Sequence, residues 1–291
     1  MTRLRFRTRF LPAAGGYLAN LSVIAILVLP LLVLVTSALQ NERDLLAHSE
    51  SLLPAHIIFD NVVNLALGHQ GSDLPEQVRY YPRAFLNSAI ISLSVTLIVT
   101  ILGSLSAYSI VRLRFPGRRT MPYGILSVRM VPLIALIIPL YMMMARAHLL
   151  GTPLAIIIPQ AGLFLPYTIW ILISYFASLP SELEDAARID GCSRFGAFLR
   201  IVLPLSAPGL SANAVIIFLL SWNDLLLPVI MASKVEQMTL PVLISSIVTL
   251  KYFSYTLINA AGLLATLPTL LLTMLLQRYV VSGLTAGALK G

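Results

Sequence analysis

The sequence predicts an all-α polytopic membrane protein with six transmembrane helices. Three observations carry this reading. Hydrophobic residues make up 58% of the 291 residues and charged residues only 11%, against about 25% charged in a typical soluble domain. Mean hydropathy is +0.88. The charges cluster, and long uncharged stretches lie between the clusters. This composition excludes a disordered chain, a nucleic-acid binder built on a basic surface, and an ordinary cytosolic enzyme. In so apolar a chain the formal charge of +8 reads as a topology signal rather than a polyanion-binding surface. The single cysteine, Cys192, excludes an intrachain disulfide and a multi-cysteine metal site.

Uncharged stretches run over 10–41, 84–111, 147–181, 201–223 and 252–277, and 120–145 carries only Arg129. A helix needs about 20 apolar residues to cross the hydrocarbon core. The expected spans are 17–38, 84–111, 121–145, 154–177, 208–231 and 258–281, within one transmembrane domain. Barrel strands are excluded because they are about 10 residues of strict alternation. The first span follows Arg3, Arg5, Arg7 and Arg9 and is too long for the apolar region of a signal peptide. Prolines inside the spans are tolerated where neighbouring helices or water satisfy the freed carbonyls.

Orientation follows from Lys and Arg. With the N-terminus inside, the inner segments hold Arg3, Arg5, Arg7, Arg9, Arg112, Arg114, Arg118, Arg119, Arg188, Arg194, Arg200, Arg278 and Lys290. The outer segments hold only Arg43, Arg79, Arg83, Arg146, Lys234 and Lys251. This two-to-one bias puts both termini in the cytoplasm.

The inner loop 178–207 carries the most information. Ser181 followed by Glu184 reads as a capping box, which starts a helix near Glu182. Gly191 fits its left-handed C-terminal stop. Ser193 caps a second short helix, on which Phe195, Phe198, Leu199 and Val202 fall on one apolar face. Pro204 is expected to end it. This helix–turn–helix suits docking into a groove on a partner. It equally suits an amphipathic pair lying on lipid headgroups. On physical grounds alone the two stay open.

Asp185-Ala186-Ala187, then Gly191 after three residues, then Ile201 and Leu203-Pro204, resemble the EAA loop of ABC-type importer permeases. Further stretches resemble the carbohydrate branch, specifically its six-span maltose-permease-like subunit. They are Phe85-Leu86-Asn87-Ser88, Arg112-Leu113-Arg114-Phe115-Pro116-Gly117-Arg118, Ile138-Pro139-Leu140-Tyr141, Leu165-Pro166-Tyr167, Ser221-Trp222-Asn223-Asp224, Thr239-Leu240-Pro241 and the terminal segment 283–291. The resemblance covers nearly all of the chain beyond about residue 50, with the motifs in order. Asp185 stands where the family usually has Glu, so an identical salt bridge is not implied.

The resemblance implies a type I importer fold. This chain would form half of a translocation path with a homologous second permease subunit, in a bacterial or archaeal inner membrane. A cytoplasmic ATPase dimer, holding ATP and Mg, would take the loop through Asp185, Ala186, Ala187, Asp190, Gly191, Phe195, Phe198, Leu199 and Pro204. An extracytoplasmic solute-binding protein would deliver a sugar from outside, the outer segment near 235–255 would reach toward that protein, and the tail 283–291 would reach the ATPase. The chain has no G-x-x-x-x-G-K-[ST] phosphate loop, so energy must arrive through a docked partner. No cofactor is expected in this chain, and no nucleic acid as partner.

Arg129 and Asp224 are the charged residues well inside the expected spans, and an intramembrane charge is a functional candidate by default. For Arg129 the alternative is snorkelling toward the basic inner surface. Trp222, Asn223 and Asp224 combine an aromatic face, an amide and a carboxylate, which is sugar-binding chemistry. The alternative is interhelical hydrogen bonding. Asn87 and Ser88, near the outer end of the second span, are open in the same way. His48, His56, His69 and His148 form no metal-ligand spacing. No catalytic residue is identified. Two other classes compete: a polytopic membrane enzyme acting on lipid-linked substrates, and half of a secondary transporter. The first lacks a carboxylate or histidine cluster at the membrane edge, and the second has little intramembrane charge for ion coupling.

Overall fold

The computed structural model describes residues 13–47, 53–54, 56–69, 74–247 and 254–288. The arginines at 3, 5, 7 and 9, His48, Lys251 and the last three residues of the tail lie outside the described residues. Every regular element among the described residues is helical. In chain order they are α1 (Ala13–Ala38), α2 (Glu42–Ala47), α3 (Asp60–Leu67), α4 (Tyr81–Arg112), α5 (Met121–Ser127), α6 (Leu133–Arg146), α7 (Leu154–Ser178), α8 (Glu182–Ile189), α9 (Arg194–Ala197), α10 (Leu203–Leu205), α11 (Ala207–Trp222), α12 (Leu226–Met231), α13 (Leu240–Ile247) and α14 (Tyr255–Ala288). Three-residue to five-residue 3-10 turns at 76–80, 128–130 and 235–237 and a π-helical turn at 198–202 join some of them.

Among the described residues four helical stretches are long and apolar enough to cross a membrane: Ala19–Ala38, Glu76–Arg112, Leu154–Ser178 and Tyr255–Leu276. Two bent pairs bring the total to as many as six. The expected span 121–145 is one of these pairs, with 121–130 and 133–146 meeting at 94°. Pro132 sits at the bend as the N-cap of α6, in extended backbone, because a proline disfavours helix in the residue before it and offers no N–H to the preceding turn. The expected span 208–231 is also interrupted. Its helix α11 is 16 residues long, about 24 Å at 1.5 Å per residue, and the chain breaks at 223–225 before α12. At its other end α11 meets the 194–205 segment at 76°.

Three hydrophobic clusters stack along the molecule, and α4 contributes to all of them. At one end Tyr81 and Ala84 pack with Trp222, Phe218, Leu240, Leu257 and Ala261. In the middle Ile91, Val95 and Val99 meet Ile156, Ile217, Leu227 and Met231. At the end nearest the inner loop Ala107, Tyr108 and Ile110 meet Leu172, Phe176, Phe198 and Val202. Small residues let the backbones close up. A Cβ on Gly103 would come within 2.4 Å of the Thr168 side chain, and one on Gly209 within 2.4 Å of the Tyr175 ring. By contrast α1 exposes Leu21, Ile24, Leu27 and Leu29 and rests mainly on α14. That apolar outer face suits lipid.

Candidate functional site

The inner loop is built on a buried ion pair. Glu184, on the first turn of α8, is 7% exposed. Its Oε1 accepts from Nε of Arg112 at the end of α4, and its Oε2 accepts from the Tyr108 hydroxyl at 2.9 Å. The Arg112 guanidinium also donates to the Leu179 carbonyl at 2.8 Å, just past the end of α7. One carboxylate therefore ties α8 to α4, and its arginine ties both to α7. This corrects the expected capping box: Ser181 makes no side-chain cap bond. Burial and a charged partner outweigh the local cap, because an unpaired buried arginine costs far more than a frayed first turn. Sequence reasoning gave Glu184 only the role of a cap and missed its ion pair. Its partner lies 72 residues away, and only the basic residue closing the second span hinted at it.

Gly191 has φ +90°. The Cys192 N–H donates to the Ala187 carbonyl and the Gly191 N–H to the Arg188 carbonyl, the paired bonds of a Schellman stop. The Ser193 hydroxyl then accepts from the Gly196 N–H at 3.0 Å and caps α9. Both features are local, and both match the sequence reading. Pro204 does not end the second helix. The helical path continues to Leu205, since the π-helical turn just before it widens the backbone where the proline has no N–H to offer.

The expected apolar stripe divides in two. Phe198 is 2% exposed and Val202 1%. The Phe198 ring lies 4.6 Å from the Tyr108 ring and 6.3 Å from that of Phe176. It is core and cannot serve as a docking anchor. Phe195, at 60% exposure, and Leu199, at 46%, face outward. Ile189, unmarked by the sequence pattern, is 87% exposed. Asp185, Ala186 and Asp190 are exposed on the same loop, whereas Ala187 is buried. Asp185 pairs with Arg188 at 3.5 Å, one turn on. The loop thus has an anchored inner side and an outward side that presents Ile189, Phe195 and Leu199 among charged residues.

The other candidates do not form one site. Trp222 is 3% exposed, packs on Phe85 and Phe218, and donates its indole N–H to the Ala265 carbonyl. It is therefore core, and no aromatic face is left there for a sugar. Asn87 donates to the carbonyls of Glu236 and Met238, and Ser88 accepts from the Leu240 N–H. The two pin the segment before α13 to α4. Asn223 is exposed and donates to the Leu219 carbonyl. Asp224 accepts from Gln160 at 2.7 Å, and Ser221 donates to the same Gln160 at 2.6 Å, so this cluster joins the end of α11 to α7. Arg129 sits in the 3-10 turn at the 94° bend and donates to the Leu163 carbonyl of α7 at 2.9 Å.

At the opposite end of the molecule Glu42 caps α14. Its carboxylate accepts from the Thr256 and Tyr255 N–H groups and from the Ser254 and Thr256 hydroxyls. Partial burial pulls its pKa up, but the bonds from Thr256, Ser254 and Tyr255 outweigh this and hold it below the usual carboxylate value.

Residues 99–286 match the family described as binding-protein-dependent transport system inner membrane component. The chain is 34% identical over 242 residues to the trehalose transport system permease protein SugB of Mycobacterium tuberculosis, covering 82% of this chain and 85% of that one. It is 36% identical over 219 residues to the trehalose/maltose transport system permease protein MalG of Thermococcus litoralis, covering 75% and 79%. Its fold is similar to a chain in the crystal structure of a bacterial ABC transporter involved in import of the acidic polysaccharide alginate. The TM-score is 0.78 at 18% identity, over 96% of this chain and 99% of that one.

Proposed function

Because this chain belongs to the family of binding-protein-dependent transport inner membrane components, a multi-pass membrane permease family rather than an enzyme family, we propose that it is one of two permease subunits of an ATP-driven sugar importer. A homologous second subunit completes the path. A solute-binding protein delivers the sugar from outside. A cytoplasmic ATPase pair, which holds the ATP and Mg2+, docks on the inner loop, and both termini lie on its side.

The observation that carries this reading is the two-sidedness of the loop. Ile189, Phe195 and Leu199 are presented outward on a base locked by Arg112, Glu184 and Tyr108. An exposed apolar cluster on a rigid support is a docking surface. A loop lying on headgroups would have no need of a buried ion pair beneath it. When the ATPase pair closes, the loop moves as a lever. The Arg112–Glu184 pair passes the movement to α4, and α4 runs through all three core clusters. Packed elements of this kind shift between discrete arrangements rather than deforming continuously.

The test is purification of the complete transporter with Ile189→Asp and Phe195→Asp. The expected result is normal insertion and pairing with the second subunit, with the ATPase lost during purification and sugar uptake abolished. Retention of the ATPase together with normal uptake would return the loop to the lipid surface.

A further inference from the structure

Arg129 reaches a point well inside a helix long and apolar enough to cross a membrane. The Leu163 carbonyl that it reaches is the tenth residue of the 25-residue α7. That carbonyl is about 14 Å from one end of the helix and about 22 Å from the other, at 1.5 Å per residue. A cation at that depth requires a partner or water. None of the ion pairs among the described residues involves it. Its guanidinium is exposed, and its one protein bond leaves most of its five donors open.

The surroundings are those of a site. Arg129 lines a cavity of about 310 Å³ with Pro132, Gly162, Leu163 and Pro166, and no carboxylate lines it. A Cβ placed on Gly162 would meet nothing within 4 Å. Pro166 has no N–H to give the Gly162 carbonyl, so an acceptor is freed on the α7 wall, one residue before the carbonyl that the arginine reaches. Both walls are interrupted at this level, one by the 94° bend and the other by a proline within α7. Irregular backbone at membrane depth is tolerated where it lines a water-filled or ligand-filled cavity. Donors and a backbone acceptor side by side suit hydroxyl groups, which both give and accept. A simple anion would leave the acceptor unused.

Resting on the importer reading above, we propose that this cavity is the sugar-contact site of this subunit at mid-depth of the path, with the Arg129 fork holding a pair of sugar hydroxyl oxygens as the solute passes. Arg129 then replaces Trp222, Asn223 and Asp224 as the polar contact to the solute.

The test uses the complete transporter in proteoliposomes with its sugar-loaded binding protein. Uptake and stimulated ATP hydrolysis are measured side by side for Arg129→Ala, Arg129→Lys and Gly162→Leu, which fills open space. Loss of a charged hydrogen bond is worth about 1.5–3 kcal/mol, or roughly tenfold to a hundredfold. The expected result is uptake reduced by about that factor in Arg129→Ala and Gly162→Leu, and less in Arg129→Lys. Assembly and stimulated ATP hydrolysis should stay within about twofold of wild type. Unchanged uptake in Arg129→Ala overturns the proposal. So does dissociation of the two permease subunits in that variant, which would make Arg129 an interface ion-pair residue. A wild-type complex that hydrolyses ATP but imports no sugar would instead bring down the importer reading itself.

Discussion

Two glutamates hold the two ends of this molecule by different means. Glu184 is buried and neutralised by a full charge, the Arg112 guanidinium, with Tyr108 on its second oxygen. Glu42 is half-buried and, among the described residues, has no basic partner in its cluster. It is neutralised by the backbone N–H groups of the first turn of α14 and by two hydroxyls, the positive end of a helix dipole. A buried ion pair is rigid and is lost completely when one partner goes. A cap is shared over several weak donors and yields gradually. The end proposed to transmit force has the first kind of joint, and the other end has the second.

Removing one partner of the ion pair should have the largest effect. Glu184→Ala leaves the largely buried Arg112 with the Leu179 carbonyl but no counter-charge, a loss of about 3–5 kcal/mol. The thermal midpoint of the purified transporter should fall, and the ATPase should dissociate although Ile189 and Phe195 are intact. If Glu184→Ala leaves both unchanged, the pair is not the joint and the comparison fails.

The aromatic beneath the joint sharpens the contrast within one turn of chain. Phe198→Ala empties a core position and should destabilise by about 3–5 kcal/mol. Phe195→Ala should leave the midpoint within about 0.5 kcal/mol while weakening retention of the ATPase. Equal effects on stability would mean that the division of the stripe is wrong.

Gly191 follows. Its missing Cβ has free space around it, so substitution acts through φ +90° and not through a clash. Gly191→Val should cost about 1–3 kcal/mol and Gly191→Asn less, because asparagine tolerates the left-handed region. ATPase retention in the two variants should follow the same order. A valine variant that retains the ATPase as well as the asparagine one would exclude backbone strain as the control.

The smallest effect is at Glu42. Its folded pKa is lowered, so its contribution is fully present above the unfolded value of about 4.3 and is lost as pH falls through the lowered folded value. Glu42→Gln should lower the midpoint at neutral pH by about 1 kcal/mol, the worth of a cap. The gap to wild type should narrow as the pH falls below about 4. A gap that does not change with pH would show that the carboxylate charge is irrelevant there.

The helical membrane class, the outline of the spans and the reversal at Gly191 were determined by the sequence alone. Each depends on composition or on neighbours within a few residues. Apolar runs report solvent preference directly, and a left-handed glycine followed by Ser193 is a local motif. Tertiary structure decided the rest. Glu184 abandons a local cap for an arginine 72 positions earlier. Trp222 is taken into the core by Phe85 and the Ala265 carbonyl. Phe198 is drawn into the core by the rings of Tyr108 and Phe176, while Phe195, whose ring lies 6.2 Å from that of Phe198, stays exposed. Arg129 is carried by the 94° bend to a carbonyl on a different helix, 34 positions later in the chain. Burial, charge pairing and cavity shape depend on residues distant along the chain, and periodicity within one segment carries no record of them.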